Sequence, residues 1–248
     1  MDETQDRFPL HTAARERRVS VAETILKTEP KLATREDEDG RLPIHWAASS
    51  NCIGIIVLLA QYRSFDPDVQ DGSGWTPLMI AASLKDGEAL VSLLLQKGAD
   101  ANLKNHNGQN VLHFVASKNN LDVAKTLISQ DSPVSTRVRD KRGQYPIHRA
   151  AAVGSVPMVM LLVKNNSPLN AVDASGYTAL HHAVAEGHAA AYTYVVLGDT
   201  AVALLKAGAE FDKRDNDGYL ALDLAPDKEV RHYIERAAEE EGIDLGTR

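Results

Sequence analysis

Nine histidines and a single cysteine are the side chains of this 248-residue chain best suited to ligate a metal or attack a substrate, and their placement argues against both uses. Five of the nine, His11, His45, His113, His148 and His181, close a recurring tetrapeptide: Phe8-Pro-Leu-His11, Leu42-Pro-Ile-His45, Asn110-Val-Leu-His113, Tyr145-Pro-Ile-His148 and Thr178-Ala-Leu-His181. An imidazole held at one fixed place of a repeat satisfies local helix and turn hydrogen bonds and reads as scaffold. His181 and His182 are adjacent, and neighbours on a helix point about 100° apart, so the two cannot share one ion as an i, i+4 pair can. A cluster of His182, Glu186 and His188 is the one arrangement that would reopen an enzymatic reading. Cys52 has no base or oxyanion turn identifiable nearby and reads as a partly buried thiol in a break between helices. There is no Gly-x-x-x-x-Gly-Lys loop, no Gly-x-Ser-x-Gly elbow and no acid pair tied to a motif, so no catalytic residue, cofactor or metal is expected.

The elements that must position these residues follow from the tetrapeptide itself, which also occurs as Thr76-Pro-Leu-Met79 and Leu220-Ala-Leu-Asp223. Counted at its second place (9, 43, 77, 111, 146, 179, 221) it returns at steps of 34, 34, 34, 35, 33 and 42, the near-constant period of a solenoid. Before each copy from the second onwards stands Asp/Asn-x-x-Gly (Asp37–Gly40, Asp71–Gly74, Asn105–Gly108, Asp140–Gly143, Asp173–Gly176, Asp215–Gly218), where Asx-turn chemistry and a positive-φ glycine imply a projecting hairpin finger. Thr76 and Thr178 stand at N-cap places, and Pro9, Pro43, Pro77 and Pro146 suit a first helical turn. A short Ala-paired helix therefore starts at each tetrapeptide. A second helix follows a break at Gly87, Asn120, Gly154 or Gly198, with apolar residues at helical spacing such as Val91, Leu94 and Leu95 or Val159, Leu161 and Leu162.

The resulting expectation is an all-α solenoid of about seven helix-turn-helix repeats with β-hairpin fingers. Residues 1–248 then form one domain: an N-terminal cap repeat at 1–36, five central repeats at 37–214, and a C-terminal cap repeat with an acidic tail at 215–248. The 42-residue step isolates nine extra residues at 189–197, reading AAAYTYVVL, expected to lengthen the first helix of the sixth repeat or to form an apolar tab, or to be an insertion without function. A net charge of −7 disfavours nucleic acid and points to solubility or a basic protein partner. No 18-residue apolar span or export signal is recognisable, so a soluble monomer of cytosol and nucleus is expected, without a membrane partner.

Binding residues are expected on a concave face of finger tips and first helices. The place after the tetrapeptide holds Thr12, Trp46, Ile80, Phe114, Arg149 and His182; the place after the finger glycine holds Arg41, Trp75, Gln109, Gln144, Tyr177 and Tyr219. Such varied, large side chains exceed what the scaffold needs, and Trp and Arg are common hot-spot types. Trp46 and Trp75 could equally cover seams between repeats.

A finger, two antiparallel helices and a period near 33 resemble the ankyrin repeat along the whole chain. Asp39-Gly-Arg41-Leu-Pro-Ile-His45-Trp46-Ala, Asp71-Gly-Ser-Gly-Trp75-Thr-Pro-Leu, Ala116-Ser-Lys118-Asn119, Ile147-His-Arg149-Ala-Ala-Ala-Val-Gly154-Ser and Ala185-Glu186-Gly-His188 more narrowly resemble the gankyrin family, chaperones of the proteasome regulatory particle. The resemblance implies a non-catalytic assembly chaperone of the regulatory-particle base whose concave face grips the C-terminal domain of a proteasomal ATPase subunit. It implies acidic contacts at Asp39, Asp71 and Glu186 and basic contacts at Arg41 and Lys118; Trp46, Trp75 and Arg149 are added from their facing. Animal members carry a Leu-x-Cys-x-Glu motif tied to retinoblastoma-protein binding, but here the matching stretch is His182-Ala-Val-Ala-Glu186, so that role does not carry over. The alternative is a generic ankyrin-repeat adaptor or kinase inhibitor with another partner.

Overall fold

The computed structural model describes residues 6–185 and 193–246, which fall into two compact units, 1–106 and 107–248. In the first unit helices pair as α1 (Pro9–Arg15) with α2 (Val19–Thr28), α3 (Pro43–Ser49) with α4 (Ile53–Leu59) and α5 (Pro77–Ser83) with α6 (Glu88–Gln96). The second unit holds α7 (Val111–Ser117) with α8 (Leu121–Ile128), α9 (Pro146–Ala152) with α10 (Val156–Lys164), α11 (Ala179–Ala185) with α12 (Thr193–Lys206), and then α13 (Lys228–Glu240). First helices stack on first helices, α1 on α3 on α5 and α7 on α9 on α11. The seventh repeat departs from the expected pair, since its first helix shrinks to a 3₁₀ turn, Ala221–Leu224, which packs on α11.

Packing follows the repeat. The third tetrapeptide residue is core throughout: Leu10, Ile44, Leu78, Leu112, Ile147, Leu180 and Leu222 are all buried, and the paired alanines Ala13-Ala14, Ala47-Ala48, Ala81-Ala82 and Ala150-Ala151 lie beneath 4% exposure, which lets helices approach closely. On the second helices Leu94, Leu127, Leu162 and Leu204 are wholly buried. Leu161, expected in that core, is only half-buried; the 3.6-residue turn puts its neighbour Leu162 inside instead. Cys52 is more enclosed than expected, 4% exposed at the N-cap of α4.

Two further expectations change. Among the described residues the fingers contain no strand; the sole bridge joins Arg214 and Leu220. The five aspartate fingers are instead Asx turns with two backbone bonds, as from Asp37 N to Arg41 O (2.9 Å) and from Gly40 N to Asp37 O (3.1 Å), too short to start a ladder. Neighbouring fingers are tied by single backbone bonds: Gly72 N donates to Asp39 O, His106 N to Ser73 O, Lys141 N to Asn107 O, Ala174 N to Arg142 O and Asn216 N to Ser175 O. One of the four expected breaks between helices also changes. Gly87 and Asn120 are the N-caps of α6 and α8 and Gly154, at φ 73°, separates α9 from α10, as expected, whereas Gly198 lies inside α12. Residues 189–192 of the insert fall outside the described residues; 193–197 are helical and lengthen the second helix of the repeat rather than the first.

Candidate protein-binding site

Every finger aspartate performs the same local task with one oxygen. Asp71 Oδ1 accepts from the backbone N–H of Ser73 and Trp75 (both 2.9 Å), and Asp37, Asp140, Asp173 and Asp215 repeat this with the residues two and four positions on. The second oxygen is engaged by the variable places noted above. Trp46 Nε1 donates to Asp37 (2.7 Å), Arg149 to Asp140 (3.1 Å) and His182 Nε2 to Asp173 (2.9 Å), each nine residues beyond its aspartate. From the preceding finger, Arg41 Nε donates to Asp71 (3.2 Å) and Gln144 Nε2 to Asp173 (3.1 Å). Burial works to raise the carboxyls of Asp37 and Asp173, but these donors and the turn N–H groups outweigh it and hold both below the usual range. The spacing of nine from finger aspartate to donor was present in the sequence, and its constancy is the signal that identifies Asp37, Asp140 and Asp173 as part of this row.

The residues expected to meet a partner are thus placed unequally. Asp39 is exposed on its finger and Lys118 is exposed at the C-cap of α7. Arg41 is one-third exposed, paired with Asp71, and lies 5.2 Å over the Trp46 ring, which Arg15 approaches from 5.8 Å. Trp46 is therefore wedged among neighbours, half-buried, with its N–H engaged. Asp71, its side chain 3% exposed, has both oxygens engaged within the chain. Trp75 is half-buried beside it. Arg149 is one-quarter exposed and has a buried Nε without a hydrogen-bond partner, as does the Oε1 of Gln144 nearby in the row. Glu186 and His188 lie outside the described residues.

The tetrapeptide histidines tie each first helix to the chain at the next finger. Nδ1 of His45, His148 and His181 accepts the N–H of Leu42, Tyr145 and Thr178 (3.0–3.2 Å), leaving the proton on Nε2. Nε2 then donates to a carbonyl of the next finger or of the chain just before it, His11 to Arg41, His45 to Val69, His113 to Gln144 and His148 to Ala171, at 2.9–3.2 Å. Only the neutral ring can do both. Burial accordingly pushes all five below the ordinary histidine value, His148 to about 4 with His182 adding repulsion. Asp223, in the seventh copy, keeps the accepting half alone, taking the N–H of Leu220 at 3.0 Å.

Stacked helix pairs joined by Asx-turn fingers define an ankyrin-repeat protein, and models of ankyrin repeats match residues 1–71, 62–137, 127–183 and 175–216. Two solved structures share the fold: the ankyrin repeat domain of human ASB11 (TM-score 0.75, 21% identity) and that of Bcl-3 (0.69, 20%), each covering 92% of this chain and 97% of theirs. In Saccharomyces cerevisiae the probable 26S proteasome regulatory subunit p28 is 37% identical over 232 residues, 92% of this chain and 97% of that protein. An ankyrin repeat-containing protein of Schizosaccharomyces pombe is 33% identical over 225 residues, 90% and 92% of the two chains. The chain belongs to the p28, or gankyrin, family of ankyrin-repeat proteins, which is a non-catalytic one.

Proposed function

We propose that this chain is an assembly chaperone of the proteasome regulatory-particle base that binds the C-terminal domain of an ATPase subunit through its fingers and first helices. While bound, it would sterically delay docking of the base on the core particle, acting as a monomer in cytoplasm and nucleus. The observation that carries the reading is the 37% identity, sustained over nearly the full length of both chains, to a relative named as a 26S proteasome regulatory subunit. Supporting it are the exposed charges of opposite sign, Asp39 and Lys118, on the elements expected to bind. Arg41, Trp46, Trp75 and Arg149 contribute through their exposed edges, Asp71 acts by holding Arg41, and Glu186 is the further acidic contact.

Capture with the tagged full chain, followed by identification of bound proteins, tests this. The expected result is enrichment of a base ATPase, reduced by Asp39→Lys with Lys118→Glu. Capture of a kinase or another protein without any base ATPase would instead support a generic adaptor.

A further inference from the structure

A finger aspartate with both oxygens engaged draws its second donor from one of two places: the residue nine positions on, or the residue after the glycine of the preceding finger. Asp215 has neither. Its ninth residue is Leu224 and the residue after Gly176 is Tyr177. Oδ1 closes the turn on the N–H of Asp217 (2.9 Å) and Tyr219 (2.8 Å), but Oδ2 has no hydrogen-bond partner although the residue is only 7% exposed. A buried carboxylate oxygen left unpaired is costly, and native structures rarely keep one without a reason.

We propose that Oδ2 of Asp215 is a socket for an arginine side chain of the bound protein partner. The chain itself demonstrates the chemistry twice, since the corresponding oxygens of Asp71 and Asp140 receive the guanidinium groups of Arg41 and Arg149. Two tyrosines neighbour this aspartate. Oδ2 is closed to solvent in the free chain, so a guanidinium reaches it only by displacing what covers it; Tyr219, whose N–H closes the same turn, is 54% exposed, and Tyr177 is close enough that the charge of Asp215 adds to burial in raising its phenol. A planar cation can stack on such rings while it pairs, which favours arginine over lysine. Neighbouring cations of the chain are committed elsewhere: Lys213 faces Glu210 at 3.3 Å, and Arg214 donates to the Gly218 carbonyl at 2.7 Å. The inference rests on the proteasomal reading only for the partner's identity.

Two measurements on the full chain test it. In NMR titrations, acetyl-arginine amide but not acetyl-citrulline amide is expected to shift the Tyr177 and Tyr219 ring signals, and Asp215→Asn is expected to remove the shift. Asparagine suits the turn, since Asn105 holds the same place in the third finger. In calorimetry with a base ATPase C-terminal domain, Asp215→Asn is expected to weaken binding about 10–100-fold, the scale of one charge-assisted hydrogen bond. Its melting temperature should be unchanged or raised, because the variant removes an unpaired charge. Equal response to both amides, response to neither, or an affinity within twofold of the parent would overturn the socket. If no ATPase domain binds the parent chain, the chaperone reading falls, and the arginine titration alone decides the socket.

Discussion

His148 accepts a backbone N–H on one ring nitrogen and donates from the other to a carbonyl just before the next finger, so its proton count is fixed by the fold. In the unfolded chain it titrates near 6.5, in the folded chain near 4. Between those values the unfolded state binds a proton that the folded state refuses, so stability is complete above about pH 6.5 and declines as pH falls through the window. The four other tetrapeptide histidines shift in the same direction and add to the decline. Urea midpoints should therefore drop from pH 7 to pH 4, and His148→Gln should make the slope shallower; a flat profile would contradict the neutral bridging role. The sequence showed that these histidines are scaffold, because they recur at one place. It did not show the carbonyl each one reaches, because that atom lies at or just before the next finger, 23 to 38 residues away. Arg41 makes a similar point. Its position marked it as a contact residue, yet only the structure shows Asp71 behind it. Arg41→Ala should cost about 1–3 kcal/mol in chemical denaturation, since it strips a buried carboxylate of its donor.

At the scale of elements, local turn chemistry and helix starts were legible, whereas the phase of a second helix was not. Leu161 and Leu162 are both apolar in a run of apolar residues, so spacing alone left their order open; packing selects Leu162. Leu162→Ala should lose about 2–5 kcal/mol and Leu161→Ala clearly less, and the reverse order would reject the placement of α10. Gly198 illustrates the opposite failure. Glycine in a loop-like context suggested a break, but the residue lies within α12 because the Tyr233 ring of α13 occupies the space a Cβ would need. Glycine to alanine inside a helix ordinarily stabilises by up to about 1 kcal/mol. Here Gly198→Ala should destabilise by about 1–3 kcal/mol, measured by thermal unfolding, because the ring must move.

For the whole molecule, the repeat period carried the architecture, and its irregularities carried identity: Trp46 and Arg149 after their histidines, and the 42-residue step. What periodicity cannot reveal is which irregular side chains face outward. Asp39 and Asp71 are equally acidic in sequence, but one is exposed and the other is enclosed by its own turn and Arg41. On the proposed reading, exposed charges recognise the partner, and association through them should weaken as salt rises, because such pairs are screened within about 10 Å at 0.1 M ionic strength. The most direct test is the affinity of the purified chain for isolated C-terminal domains of the base ATPases, measured by calorimetry at low and high salt. One domain is expected to bind, more weakly at high salt, and at least tenfold more weakly when Asp39→Lys and Lys118→Glu are combined in a chain that still folds. Binding to none of these domains, or binding unaffected by both salt and the charge reversals, would contradict the account.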